Sequence, residues 1–462
     1  MKSDIYDLII IGAGPAGMAA AATAAQKKLR VAILDEQQTP GGQIYRSIKQ
    51  PAPADEHILG PDYYYGRHLL EGLENAPVTY LPGTMVWSID DDLNIAFSRN
   101  GCSEKLQAKR ILLATGAMER PVPFVGWTTP GVMTCGSAQI LLKTSGLTPA
   151  LPLVLAGSGP LLLLIAVQLH RAGVPISAIL DTTPKGRYRS ALRYLPNALK
   201  NTPLLLKGVG LLLTLKKAGI RYINHVTDLT AIEGNNGHIE QVLFSSAKGQ
   251  ESLTCTTLLV HQGVVPNTQL SRALQLKHQW DELQQCWRPE RDRWGETSKR
   301  GIFIAGDGGG IAGAKAAEYQ GQLSALKIAT QLNASSTDSL QKEASGIEKR
   351  LQQQLSVRPF LDHLYQPANS FLLPPDETIV CRCEEVTAGE IRNIAKLGCT
   401  GPNQTKSFCR SGMGPCQGRL CGLTVANLIA DVHQLPVNEV GYYRIRTPIK
   451  PLTIGELADL AE

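Results

Sequence analysis

No Cys-x-x-Cys pair occurs in the first 380 residues of this 462-residue chain. Disulfide exchange needs two thiols at close spacing beside the redox centre, so that chemistry is argued against. The chain also lacks a strong charge of either sign. Its 46 Lys and Arg against 40 Asp and Glu leave only +6, too small a balance for nucleic acid without a clustered basic face. A signal peptide is not expected: Asp7 directly precedes the first apolar run, and glycines interrupt it. One long apolar run, LPLVLAGSGPLLLLIAVQL at 151–169, tempts a membrane reading. Its Gly-Ser-Gly-Pro centre fits a strand, a turn and a helix instead. A cytoplasmic chain is therefore expected, in which thiols stay reduced and disulfides are a poor reading of the cysteines.

What the chain does have is a globular composition, 43% hydrophobic and 19% charged. Its length suggests about three domains. Residues 5–11, IYDLIII, form a continuous apolar run of the kind expected of a strand buried on both faces. Gly12-Ala13-Gly14-Pro15-Ala16-Gly17 follows, then an alanine-rich helix expected over 18–26 and a second strand over 30–34. In this order the segments make a dinucleotide fingerprint. Gly12 permits the tight turn, Gly14 the approach of a pyrophosphate, and Gly17 close packing of helix on strand. The helix N-terminus offers free N–H groups to the phosphates. The acid expected on the ribose about 20 residues on is Asp35, with Glu36 as the alternative.

A second unit runs from 151 to 181 and carries Gly157 and Gly159, but Leu162 stands at the third glycine position. Leucine there is expected to push the helix from the strand or shift the turn. The unit ends in Asp181, which would favour a free ribose hydroxyl. A working nicotinamide site is the less favoured reading of this unit.

Six of the ten cysteines fall between 381 and 421. Cys381 and Cys383 form a Cys-x-Cys pair, and Cys416 and Cys421 a Cys-x4-Cys pair, 32 residues apart. Structural zinc usually takes wider knuckles, often with histidine, and none lies close to either pair. Four thiolates also suit a [2Fe–2S] cluster, the favoured reading, with zinc as the alternative. Thr387-Ala388-Gly389-Glu390 is a capping box that predicts a helix just after the first pair. Gly412 to Pro415 predicts another helix near Cys416, with Cys416 and Cys421 on its first turns. Helix N-termini, backbone N–H groups and the nearby Arg382, Arg410 and Arg419 would favour an anionic cluster. Cys399 and Cys409 are assigned as non-ligands. Cys102, Cys135, Cys255 and Cys286 are expected to be ordinary thiols, and His261 a structural histidine.

Two such units in one chain resemble the glutathione-reductase-like flavoproteins, in which the first site takes FAD. The segment Thr39-Pro40-Gly41-Gly42-Gln43, the Ala114-Thr115-Gly116 turn and the late strand ending in Gly306-Asp307 fit that family. The resemblance places Gly42 and Gln43, Thr115 and Gly116, and Asp307 at the cofactor. It implies a helix over 312–321 aimed at the flavin. It also implies an α/β architecture: a discontinuous FAD domain over 1–117 and 297–345, a second dinucleotide-type domain over 118–296, a helical connector over 346–370, and a cysteine domain over 371–462. This last domain resembles the [2Fe–2S] domain of bacterioferritin-associated ferredoxin.

Nearly the whole chain resembles the alpha subunit of bacterial heteromeric amino- and imino-acid dehydrogenases. The group includes opine oxidases, D-hydroxyproline and L-proline dehydrogenases and hydrogen cyanide synthase. The resemblance rests on ILDEQQTPGGQIYR, ATGAMERPVPFVGWTTPGVMTCGSAQ, VHQGVVPNTQLSR, CWRPERDRWGETSKRGIFIAGD, CRCEEVT and GMGPCQGRLC. It implies that substrate is oxidised at an FAD in a separate beta subunit. Electrons would then pass to this chain, with an FMN at the interface in some members. A quinone or respiratory acceptor and a small third ferredoxin-like subunit belong to the same picture. So does a hetero-oligomer in the cytoplasm or on the inner face of the membrane. No catalytic acid or base is expected in this chain. Two other readings stand beside it: a stand-alone NAD(P)H-dependent flavin/[2Fe–2S] oxidoreductase, and a non-enzymatic cluster-bearing module.

Overall fold

The computed structural model describes residues 5–52, 55–334 and 336–460. The strand Tyr6–Ile11 lies at the centre of the first sheet, hydrogen-bonded in parallel to Val31–Leu34 on one side and to Cys102–Leu113 on the other. Val78–Leu81 extends the sheet beyond Val31–Leu34, and Ile302–Ile304 pairs with the end of the Cys102–Leu113 strand. The first half of that long strand turns antiparallel to Asn94–Arg99, which pairs in turn with Thr84–Ile89.

Because successive strand side chains point to opposite faces, the isoleucine run serves two cores. Leu8 and Ile10 pack with the alanines of the helix Pro15–Gln26. Ile9 and Ile11 face the other way, into a core that also holds Val380, Cys381, Cys421 and Val425. The cysteine-bearing segment is thus packed on the back of the first sheet. The helix Ala314–Gln331 crosses Pro15–Gln26 so closely that a Cβ at Gly321 would sit 2.1 Å from the Ala16 carbonyl oxygen.

A second parallel sheet has the order Tyr222–Ile223, Ile176–Asp181, Leu153–Ser158, Thr257–Gln262 and Val132–Thr134. An antiparallel sheet of Leu229–Glu233, Ile239–Ser246 and Gly249–Thr254 packs beside it. The two main sheets are joined by a short antiparallel pair, Ala117–Glu119 with Val264–Pro266. The helices Thr337–Leu355, Arg358–Leu364 and Asn369–Leu372 then lead to the cysteine segment. Among the described residues, no helix is long and apolar enough to cross a membrane. The run at 151–169 is the strand Leu153–Ser158 followed by the helix Pro160–Arg171.

The helix expected at Cys416 is not there. Residues 415–421 form consecutive turns, and the helix begins at Gly422 and runs to His433, with Cys421 at its N-cap position. The cause is local. Gln417 and Gly418 both have positive φ, 48° and 76°, which breaks a right-handed helix. The Tyr443 ring occupies the space against Gly418, where a Cβ would meet it at 2.3 Å. The helix predicted after the first pair spans Ala388–Lys396, and both arms of its capping box are made.

Candidate cofactor and thiol sites

The first glycine turn is built by contacts that only glycine allows. Gly12 has φ +107°, and a Cβ there would lie 2.5 Å from the Ala114 carbonyl oxygen. A Cβ at Gly17 would lie 1.9 Å from the Gly12 carbonyl oxygen. Pro15 opens the helix and Ala16 is buried beneath it. Gly14 is left with an open face: the nearest heavy atom to a Cβ there is the Gly42 Cα at 3.8 Å. The Gly41–Gln43 loop, the Thr115–Gly116 turn and the Gly306–Gly309 turn all close on this point. A Cβ at Gly308 would lie 3.3 Å from Thr115 Oγ1, and one at Gly306 3.0 Å from the Ala16 Cβ.

The two acids at the end of the second strand have different environments. Asp35 is buried; its Oδ2 accepts from the Ala13 N–H at 2.5 Å and its Oδ1 from the Gln37 N–H at 2.7 Å. Burial pushes its carboxyl above the ordinary range, and the N–H groups of Gln37 and Ala13 hold back part of that rise. Glu36 points outward and pairs with Lys450 at 2.9 Å. Asp35 thus shapes the turn, while Glu36 is engaged at the surface by Lys450. Asp307 uses Oδ1 to accept from the Ala312 and Gly313 N–H groups at 2.8 and 2.9 Å, just ahead of the helix Ala314–Gln331. That helix starts two residues later than the sequence predicts and runs ten residues further.

One feature of this site carries no motif. Lys143 is almost wholly buried, and its Nζ donates to the carbonyls of Gln43 at 3.2 Å and Ile44 at 2.8 Å and to Gln139 Oε1 at 2.9 Å. It ties the helix Cys135–Ser145 to the Gly41–Gln43 loop. Burial pushes its amine down to about 7, with Arg46 adding to the effect.

The second glycine turn is closed by its own chain. Asp181 is buried, and it accepts from the Thr183 N–H at 2.8 Å, from the Tyr222 hydroxyl at 3.0 Å and from the Tyr188 hydroxyl at 3.5 Å. Tyr365, from the helical connector, reaches the turn itself: a Cβ at Gly159 would lie 4.0 Å from the Tyr365 Cβ. His261 sits beneath the same turn and is held by Glu119 Oε1 at 2.7 Å, whose other oxygen accepts from the Gly136 N–H. Leu162 is buried in the core and the helix still starts at Pro160. A Cβ at Gly17 would lie 1.9 Å from the Gly12 carbonyl oxygen, so the packing made there cannot be repeated with a side chain at 162.

The four paired cysteines converge. The Cys383 and Cys416 sulfurs are 3.7 Å apart, and Cys381 shares a hydrogen bond with Cys421. Cys381 is pulled down to about 6 by the Cys421 thiol, aided by the N–H groups of Gly412, Glu384 and Cys383, against the effect of burial. Cys421 is pushed well above the usual thiol range by the same shared bond and by burial. Burial raises Cys383, with Cys416 and Cys381 adding to it. Cys381 and Cys421 are buried while Cys383 is exposed, so one edge of the group faces solvent. Backbone N–H groups aimed at sulfur suit an anionic thiolate centre. Among the described residues, no three His, Cys, Asp or Glu are arranged to hold a single metal ion as they stand.

Cys399 is buried away from this group, with its carbonyl bonded to His433, and the Cys409 thiol contacts the Thr405 carbonyl at 3.4 Å. Arg410 is paired with Glu384 at 2.8 Å, and Arg382 lies over the Trp127 ring. Arg419 lines a narrow cleft with Tyr442, Trp287, Gln269, Pro266 and Met118.

The family described as pyridine nucleotide-disulphide oxidoreductase matches residues 6–321. The sarcosine oxidase A3 domain matches residues 376–460, where the sequence alone suggested a ferredoxin-like unit. The chain is 45% identical to the A subunit of opine oxidase from Agrobacterium tumefaciens, over 99% of this chain and 92% of that one. It is 31% identical to hydrogen cyanide synthase subunit HcnB of Pseudomonas protegens, over 96% of each. Among solved structures it is similar to L-proline dehydrogenase from P. horikoshii, with a TM-score of 0.71 and 20% identity over 98% of this chain and 79% of that one.

Proposed function

Because the chain belongs to the family of opine oxidase A subunits, which are flavin oxidoreductases, we propose that it is the electron-transferring flavin and iron–sulfur subunit of a heteromeric amino- or imino-acid dehydrogenase. Under this reading FAD is held by Gly12, Gly14, Pro15, Ala16 and Gly17, with Asp35, and Glu36 as the alternative, at the ribose. Gly42 and Gln43, Thr115 and Gly116, and Asp307 complete that site. Cys381, Cys383, Cys416 and Cys421 hold a [2Fe–2S] cluster. The domain division is 1–117 with 297–345 for FAD, 118–296 for the second dinucleotide-type domain, 346–370 for the connector and 371–462 for the cluster. A flavin exchanges electrons in pairs and an iron–sulfur cluster one at a time, and the protein sets their spacing and surroundings.

The observation that carries this reading is the convergence of four thiols, two from each end of a 32-residue stretch, on a loop that residues 267–269 link by hydrogen bonds to the Thr115–Gly116 turn. The chain's own residues position and insulate. Asp35 shapes the glycine turn, Lys143 fixes the loop at Gln43, and the N–H groups of Gly412, Glu384 and Cys383 are aimed at a thiolate. No acid–base pair in this chain is assigned to substrate. In this proposal the substrate is a small amino or imino acid, oxidised at an FAD in a partner subunit; similarity to the A subunits of opine oxidase supports that class. An FMN at the subunit interface and a small third ferredoxin-like subunit belong to the same proposal. The acceptor is a quinone or another respiratory component.

A stand-alone NAD(P)H-dependent oxidoreductase is disfavoured by the second glycine turn, where Asp181 is occupied by two tyrosines and Tyr365 lies against Gly159. The deciding experiment is an anaerobic visible spectrum of the purified chain, before and after NADH. Flavin and [2Fe–2S] absorption that NADH leaves unchanged is expected. A chain purified without flavin or without iron, or one bleached rapidly by NADH, overturns the proposal.

A further inference from the structure

The helix Thr202–Lys217, TPLLLKGVGLLLTLKK, is apolar on two sides. Its inner side packs Leu211 and Leu215 against the core and rests on the helix Pro160–Arg171. Its outer side leaves Leu206 65%, Val209 53% and Leu213 51% exposed, at the i, i+3, i+7 spacing of one helical stripe. The short helical turns before it, 187–201, leave Leu192 and Leu199 more than half exposed as well. Scattered exposed leucines are ordinary, but a stripe of them along one helix is not.

Charge identifies the occupant. Residues 185–217 contain eight Lys and Arg and no Asp or Glu. Lys207 is already paired, with Asp62 at 2.5 Å. Lys200, Lys216 and Lys217 are exposed, and the last two sit at the helix C-terminus, where cations are favoured. A second copy of this chain would bring cation-rich faces together and repel. A protein interface is normally depleted of lysine at its apolar centre. A leucine stripe on a segment that carries cations and no acid of its own fits the headgroup zone of an anionic bilayer, with the helix lying in the plane of the surface.

We propose that residues 185–217 form a membrane-surface anchor that seats the protein on anionic phospholipid, with the stripe of Leu206, Val209 and Leu213 in the acyl boundary and the cations among the headgroups. The anchor stands independently of the cofactor assignments.

The test is flotation of the full chain with vesicles of phosphatidylcholine alone and of phosphatidylcholine mixed with phosphatidylglycerol. Flotation is expected with the anionic vesicles, with release at high salt. Each Lys or Arg near an anionic surface strengthens partitioning about fivefold, so Lys216→Glu with Lys217→Glu should weaken it by about 25-fold or more. Leu206→Gln with Val209→Gln and Leu213→Gln should abolish it while the circular-dichroism melt stays in place, because these side chains are exposed. Failure of the wild-type chain to float, equal flotation on neutral and anionic vesicles, or undiminished flotation of the triple glutamine variant overturns the proposal. So does a triple variant that breaks up a lipid-free oligomer, which would assign the face to a contact between copies.

Discussion

Gln269 donates its side-chain amide to the carbonyl of Cys416 at 2.9 Å, and a second, longer contact reaches the Gln417 carbonyl. Two residues earlier, the Asn267 N–H donates to the Gly116 carbonyl at 3.0 Å, and the Asn267 carbonyl accepts from Thr115 Oγ1 at 3.3 Å. Three consecutive residues thus join the turn proposed for the flavin to the loop carrying a proposed cluster ligand. The bridge makes the two sites mechanically one unit.

Replacing Gln269 with Leu keeps the volume and removes the donor. The Cys416 carbonyl would keep the Arg419 N–H at 3.1 Å and lose one of its two donors, at a cost of about 1 kcal/mol. The expected outcome is a lower unfolding temperature together with an altered electron-paramagnetic-resonance line shape of the reduced protein. Flavin absorption should be retained. An unchanged line shape would mean that Gln269 braces the fold without bearing on the thiol site.

Cys383→Ser is expected to abolish iron and acid-labile sulfide in the purified chain, while Cys399→Ser and Cys409→Ser leave both in place. The first sulfur lies 3.7 Å from Cys416. The other two are engaged elsewhere, Cys409 at the Thr405 carbonyl and Cys399 in its own buried site. Iron analysis of the three variants decides the ligand set. Loss of iron from Cys399→Ser would remove the assignment of four ligands.

The first glycine unit was legible in the sequence because its constraints are local and steric. A strand, a turn that tolerates no Cβ at Gly12 or Gly17, and a helix opened by Pro15 all lie within 22 residues. The choice between Asp35 and Glu36 was not legible, since adjacent acids differ only in which one the Ala13 N–H captures. The helix expected at Cys416 failed because Tyr443, far along the chain, fills the space against Gly412 and Gly418. Lys143 and Gln269 left no trace in the sequence for the same reason. Each acts on a backbone carbonyl about 100 or more residues away, and a carbonyl leaves no mark in residue type. The closure of the second turn by Tyr365 is of that kind too.

Two glycine variants should separate folding from cofactor binding. A Cβ at Gly17 meets the Gly12 carbonyl oxygen at 1.9 Å, so Gly17→Ala must displace the helix Pro15–Gln26 and should lower both stability and flavin content. A Cβ at Gly14 meets nothing closer than 3.8 Å, so Gly14→Ala should fold normally. It would nonetheless block the approach of a pyrophosphate to the backbone. The expected result is a Gly14→Ala chain with a near-normal melt and little bound flavin. A fully loaded Gly14→Ala chain would refute the placement of the dinucleotide on this turn.

Lys143 offers a measurement that depends on pH. Burial lowers its folded pKa from 10.5 to about 7, while the unfolded chain keeps the ordinary value. Between these two pH values the unfolded state binds the extra proton, so unfolding free energy must rise with pH across that window. Below about pH 7 both states are protonated, and the full cost of burying the ammonium remains. Lowering a pKa by one corresponds to about 1.4 kcal/mol, so the change across the window is a few kcal/mol. Lys143→Met removes the titration, and it also removes the donors to Gln43, Ile44 and Gln139, three on the ammonium and two on the neutral amine. Denaturant titrations of both chains from pH 6 to pH 10 should therefore give a stability difference, wild type minus variant, that climbs as pH rises. A flat difference would mean that the three oxygen acceptors keep Lys143 charged throughout, and that the loop at Gln43 is held by an ammonium at every working pH.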